Sequence, residues 1–341
     1  MQPCLRTYHP TGFGFQSHLL PMMHDRDRTL RMKRAIDAAV ASFKAQEGRA
    51  PSVLDFSCGT GALSLLALKA GAKHVTCCDT NVDHLYVTKH LLVESGFSET
   101  EHFDLRTGLP VIDDEEPHED IGRESFDMLV CEPFSTLTTS DGARDVWQYV
   151  EPYMRRTATG WFCIPSRASQ TVSLVKLKDL HGTDEFAPAR KVVFERLFRN
   201  TTGRDLQMFC TYETELLLAD FEFERLTPPV VISEDVVGGD VFLHSTDTDN
   251  VQWTAVCDDE TLMLFEWKID LFKDIQIENS LDAYRDLNPL DRVHRARHWG
   301  LLATFVSDKT RSLDGWELTF SHNVNGVPKV LCKRLTTKRS S

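Results

Sequence analysis

Apolar positions in the first half of the chain recur at two different periods. Over residues 22–47 (MMHDRDRTLRMKRAIDAAVASFKAQE) they fall at helical spacing on a charged background, which predicts an amphipathic helix. VLDF at 53–56 reads as a strand that ends in a Gly-Thr-Gly turn. ALSLLALKAG at 62–71 reads as a helix stopped by Gly71, a residue suited to the left-handed position after a helix end. HVTCCD at 74–79 is a second strand ending in an acid, and HLYVTKHLLVESGF at 84–97 a second helix. DDEEPHED at 113–120 is a solvated acidic loop. FDMLVCEPF at 126–134 is a third buried strand. Strands and helices alternating this closely predict βαβ units and a parallel sheet.

The texture changes after about residue 165. TYETELLLADFEFERL, GGDVFLHS, NVQWTAVC, TLMLFEWKIDLF and HWGLLATFV alternate apolar and polar residues and are broken by turn residues. They predict an antiparallel β-domain, a sandwich or a barrel. Between the two halves, residues 177–207 read as helical, with Phe194, Leu197 and Phe198 at i, i+3 and i+4 on one face.

Composition narrows the class. Of 341 residues, 41% are hydrophobic and 26% charged, the balance of a folded soluble protein. No apolar run approaches the roughly 18 residues of a membrane span, and the N-terminus has no apolar core of a secretory signal. The nine cysteines are never spaced as CxxC, so they read as reduced thiols in a cytoplasmic or nuclear setting. The net charge of −13 disfavours direct nucleic-acid binding and favours cationic partners. His294 and His298 have helical metal-ligand spacing but no third ligand, so no metal site is predicted.

Ligands of an open parallel sheet bind beyond the C-terminal strand ends. Three such ends carry informative residues: the Gly59-Thr60-Gly61 turn, Asp79 and Glu132. Glycines permit positive φ and close backbone approach, and an acid after the next strand can accept ribose hydroxyls. The pattern fits a nicotinamide pocket, an S-adenosylmethionine pocket or a plain strand–helix turn.

Four stretches in order then resemble the protein arginine methyltransferases: DRDRTLRMKRAI, VLDFSCGTGALSLLALKAGAKHV, FDMLVCEPF and RHWGLLATF. The resemblance implies a lid or helical segment over 1–50 and a Rossmann-like S-adenosylmethionine-binding domain over 51–165. A β-barrel domain over 166–341 would carry a dimerisation arm at about 177–207. By the same resemblance Arg28 would pair with the cofactor's carboxylate, Gly59 and Gly61 would approach its methionyl part, and Asp79 would hold the ribose. Glu132 would be the first of two acids clamping a substrate guanidinium, and His298 would sit beside that clamp. Such a clamp makes sense because a charged guanidinium is a poor nucleophile. Two carboxylates localise its charge and aim one nitrogen at the methyl group.

The sequence departs from that family on the substrate side. The second clamp acid, nine residues after Glu132, is Asp141, one methylene or about 1.5 Å shorter. Ser135 and Thr136 stand where the family tends to glycine and tyrosine, and Arg297 stands for the late threonine. His9 and Phe13 fall at the lid's tyrosines, and Ser57 at the first glycine of the turn, tolerable if its φ is ordinary. The stretch HPTGFGFQSHLLP is a poor helix. Arg297 could serve as a built-in substrate mimic in the clamp, against the plainer reading of an exposed arginine. The expectation is a regulatory (prozyme) subunit with little or no activity of its own and weak or vestigial S-adenosylmethionine binding. It would pair with a catalytic arginine methyltransferase paralogue and serve arginine-rich protein substrates through the complex. Two alternatives are an active, perhaps monomethylating, arginine methyltransferase clamped by Glu132 and Asp141, and a methyltransferase of another substrate class.

Overall fold

The computed structural model describes residues 19–109, 121–132, 134, 143–177, 188–189, 192, 223–238, 241–245, 251–253, 261–280, 302–305, 316–322 and 328–334. Two helices come first, α1 (Leu19–His24) and α2 (Arg26–Glu47). The single helix expected over 22–47 is thus divided at Asp25, whose extended backbone caps α2 and whose carboxylate accepts the Arg28 N–H at 3.0 Å. Pro21 sits in the first turn of α1, where its missing N–H costs nothing, so part of HPTGFGFQSHLLP is helical after all. Met32, Ala35, Ile36, Ala39, Val40 and Phe43 form the buried stripe of α2.

The strands β1 (Ser52–Phe56), β2 (His74–Cys78), β3 (Phe103–Arg106), β4 (Met128–Cys131) and β5 (Phe162–Ile164) make a parallel sheet in the order β3-β2-β1-β4-β5. Helices α3 (Ala62–Ala70), α4 (Val82–Glu94) and α5 (Ala143–Val150) lie between them along the chain. Gly71 ends α3 at φ 90 and donates its N–H back to the last turn. Cys77 and Cys78 are both buried, because alternate residues of a parallel strand face covered sides. Strand order reverses between β1 and β4, which opens a crevice at their C-terminal ends.

The antiparallel part begins at β6 (Arg167–Leu177), which pairs with β11 (Thr261–Phe272) over ten residues. Around them the sheet curls through β7 (Phe223–Arg225), β8 (Val230–Gly238), β9 (Val241–Ser245), β12 (Ile275–Asn279) and β13 (Leu302–Phe305). A further sheet joins β10 (Val251–Trp253), β14 (Trp316–His322) and β15 (Pro328–Arg334). The architecture is Rossmann-like followed by a barrel. One core runs through both parts: Trp267, Ile269, Leu271 and Ile277 belong to the same cluster as the buried face of α2. Arg31 of α2 also donates to the Gln276 carbonyl at 3.0 Å. Of the expected arm, Pro188, Ala189 and Val192 are helical; Phe194, Leu197 and Phe198 lie outside the described residues.

Candidate functional site

The crevice at the ends of β1, β2 and β4 collects four of the residues singled out in the sequence, and α2 brings a fifth. The turn after β1 has three residues with left-handed backbone: Ser57 at φ 64, Gly59 at φ 55 and Gly61 at φ 75. Ser57 therefore does not have the ordinary φ under which a serine would be harmless. A side chain in this region costs ~1 kcal/mol or more. Gly61, the N-cap of α3, has no alternative: a Cβ there would lie 2.6 Å from the Thr88 side chain. Thr88 Oγ1 in turn donates to the Gly59 carbonyl at 3.1 Å, tying α4 to the turn. On the other side of Gly59 lies Leu19 of α1, whose methyl is 3.6 Å from where a Gly59 Cβ would stand.

Asp79 follows β2 and faces this turn. Its carboxylate accepts the Gly59 N–H at 2.9 Å and the Asn81 N–H at 2.8 Å, and lies 3.3 Å from Nδ1 of buried His84. Two of about four acceptor positions of the carboxylate are thus taken by backbone N–H groups, and the His84 ring lies against a third. A ribose diol would take the two that remain, next to the His84 ring.

Asp55, inside β1, is almost wholly buried. Ser64 Oγ of α3 donates to its Oδ2 at 2.5 Å and itself receives the Cys77 thiol at 3.1 Å. Oδ1 has no hydrogen-bond partner. Burial, helped by the nearby Asp79 charge and partly offset by the Ser64 hydrogen bonds and the Arg28 charge, pushes this carboxyl up to about 7. The same burial, with Asp55 nearby, raises the thiols of Cys58 and Cys77, so neither is a thiolate nucleophile.

Arg28 projects from the first turn of α2 and is almost fully buried. Nε donates to Glu132 Oε1 at 2.6 Å, and Nη2 donates to Glu132 Oε2. Burial lowers the guanidinium to about 10 against the pull of Asp25 and Asp55, so it stays cationic at neutral pH. Arg28 and Glu132, placed by the sequence on a cofactor side and a substrate side, are thus brought together. Asp141, Ser135, Thr136, His298 and Arg297 lie outside the described residues, as do His9 and Phe13.

Sequence reasoning overlooked Asp55, Ser64, Thr88, His84 and Leu19. Asp55 did carry a signal, being an acid in an otherwise apolar parallel strand, where an ionisable group asks for a reason. The contacts of the others depend on which helices meet the turn.

A buried cation, a buried carboxylate with one oxygen unpartnered and a glycine turn suit a ligand that carries a carboxylate and an ammonium on adjacent atoms. Any α-amino acid carries such a head, and so does S-adenosylmethionine. Arg28 would take the carboxylate, Asp55 the ammonium, and Gly59 and Gly61 would admit the chain of the ligand.

In sequence, the chain is 26% identical over 245 residues to protein arginine N-methyltransferase 7 of Drosophila mojavensis, covering 66% of this chain and 33% of that one. It is 29% identical over 160 residues to the protein of the same name in Danio rerio, covering 46% and 22%. The matched region is a third or less of the length of these relatives. No family model matches the chain. Among solved structures it resembles the Trypanosoma brucei PRMT1 enzyme-prozyme heterotetrameric complex with AdoHcy, with a TM-score of 0.57. That likeness covers 94% of this chain and 98% of the other at 14% identity, and speaks for the fold.

Proposed function

We propose, from the premise that this chain is a member of the protein arginine N-methyltransferase family, that it is the regulatory subunit of an arginine methyltransferase complex. One observation carries the reading. Among the described residues the sheet and the glycine turn of a methyl-donor fold are kept at the crevice, yet Ser57 holds a left-handed position in the turn that glycine suits, and Glu132 is held by the chain's own Arg28. The frame is kept while the chemistry it serves in the family is eroded. Asp141 and Arg297, the sequence departures on the substrate side, point the same way.

In this reading the chain binds S-adenosylmethionine weakly, pairs with a catalytic paralogue in the cytoplasm or nucleus, and orders that partner's lid. Arginine-rich proteins are methylated by the complex, drawn in by the −13 net charge. What S-adenosylmethionine supplies when bound is an electrophilic methyl group. This chain's Arg28, Asp55 and glycine turn would orient it, and Glu132 would hold a positive charge nearby.

Apolar side chains on the outer helix faces support pairing. Val82, Tyr86 and Val93 of α4 fall within one stripe and are about half exposed or more, and Met23 and Leu30 are exposed on α1 and α2. The test is co-expression with paralogues, followed by methyl transfer to an arginine-rich peptide. The chain alone should be inactive and the complex active. Tyr86→Asp with Val93→Asp in this chain, or Phe194→Asp with Phe198→Asp in the expected arm, should abolish co-purification and activity together. Glu132→Gln separates the rival. A complex that stays assembled and loses turnover has its catalytic glutamate here, and the chain is then an active methyltransferase using Glu132 with Asp141.

A further inference from the structure

A cavity of about 420 Å³ lies where the parallel sheet meets the barrel, a size that suits a small ligand. It is remote from the crevice: Gln46, at its edge, lies about 27 Å along α2 from Arg28. Its walls are aromatic, with Trp161 on one side and Phe272, whose ring stacks on that of Phe162 at 6.1 Å, on another. Its charges do not meet one another. Asp270 of β11 stands directly opposite Arg167 of β6, yet Arg167 turns to Glu234 of β8 at 3.1 Å. Asp270 Oδ1 is shut away from water with no hydrogen-bond partner, a state that buried acceptors seldom keep. The pairing of β11 with β12 slips between Asp270 and Phe272, an irregularity of the kind that re-aims side chains beside functional sites. Lys273, exposed at φ 52 in the turn that follows, holds Nζ 5.3 Å over the Phe272 ring.

We propose that this cavity binds a guanine nucleotide. A simple anion would engage Arg167 and Lys273 but face the Asp270 carboxylate, and a simple cation would meet Asp270 but be repelled by the other two. A ligand with N–H donors at one end and negative charge at the other uses all three. Guanine offers two adjacent donors, N1–H and the exocyclic amino group, which a carboxylate accepts side by side. Turning the Asp270 carboxylate about its last bond brings Oδ1 to them. The flat base stacks on Trp161 and Phe272, as bases do on aromatic side chains. The phosphate then lies between Lys273 and Arg167, whose partly exposed pair with Glu234 is weak and easily given up. Adenine presents one donor beside an acceptor, and that acceptor repels a carboxylate. The site lies outside the crevice and goes beyond the regulatory reading.

Calorimetry of the full chain with GMP tests the site. GMP should bind with a micromolar Kd, and AMP and inorganic phosphate each about ten-fold more weakly or worse. Asp270→Asn should weaken GMP about ten-fold and narrow its lead over AMP. Lys273→Gln should weaken GMP and AMP alike, because it removes a phosphate contact and no base contact. No heat with GMP at millimolar concentration overturns the site. So does AMP or phosphate binding as tightly as GMP, or displacement of GMP by S-adenosylhomocysteine, which would put the nucleotide in the crevice. If Asp270→Asn does not fold, Lys273→Gln on its exposed turn decides, and unchanged GMP affinity there overturns the site equally. These readings come from the isolated chain and involve no methyl transfer. Their failure is therefore distinct from failure of the subunit role, which is read from a partner's turnover.

Discussion

Two buried aspartates sit at opposite ends of the same parallel sheet and are treated in opposite ways. Asp127, just before β4, accepts Arg49 through both oxygens at 2.6 and 2.7 Å, Arg155 at 2.6 Å and the Ser52 N–H at 2.9 Å. Burial works to raise its carboxyl, but the Arg49 and Ser52 hydrogen bonds and the two cations hold it below the ordinary range. Asp55, near the end of β1, is met by Ser64, has an unpartnered oxygen and a carboxyl raised to about 7. Both side chains are essentially out of water. The difference is the number of partners, and it separates structure from function. Asp127 pins the α2–β1 connection and the Arg155 segment to the base of the sheet. Asp55 is unstable as it stands and gains only if something cationic is brought to it.

The contrast breaks most visibly at Asp127. Asp127→Ala leaves two partly exposed arginines and a backbone N–H without their acceptor, and should cost ~3 kcal/mol in urea unfolding. A loss under ~1 kcal/mol would mean the hub is ornamental.

The pH dependence of stability tests Asp55 next. Its folded value, about 7, lies above the ordinary carboxyl value near 4, so between them the folded chain holds a proton that the unfolded chain has released. Stability therefore falls as pH rises from ~4 to ~7, by up to ~1.4 kcal/mol per unit from this group. Asp127 has the opposite sign: its contribution is present above the ordinary carboxyl range and disappears as pH falls through its depressed value. Asp55→Asn should flatten the decline between pH 5 and 7 in thermal melts and leave the acid limb alone. A wild-type profile already flat in that window would refute the assignment.

The same substitution should weaken S-adenosylhomocysteine about ten-fold, because the ligand's ammonium loses a charged acceptor. In the wild type, affinity should rise from pH 6 to 8, as ionised Asp55 is the binding form; a pH-independent Kd in this range would remove Asp55 from the site.

Ser57→Gly is the smallest change. Relief of the left-handed backbone should stabilise the fold by ~1 kcal/mol, offset in part by the added freedom of glycine when unfolded. A destabilised variant would show that the Ser57 side chain makes compensating contacts.

Elements whose signal is local were legible without the structure. The helical stripe of α2, the stop at Gly71, the alternation along β11 and the glycine turn are properties of contiguous residues, because backbone periodicity and positive φ are decided within a few positions. The short strands β3 and β5 were not, since three or four residues become a strand only when a neighbour pairs with them. The site divides along the same line. The sequence marked Arg28, Gly59, Gly61, Asp79 and Glu132 as chemistry-bearing residues. Only the tertiary structure set Arg28 on Glu132 and the Gly59 N–H on Asp79, and left one oxygen of Asp55 without a partner. Such pairings depend on which strand ends meet where the sheet reverses its order. A charge's effect depends on how many partners reach it once water is gone, and no stretch of chain carries that number by itself.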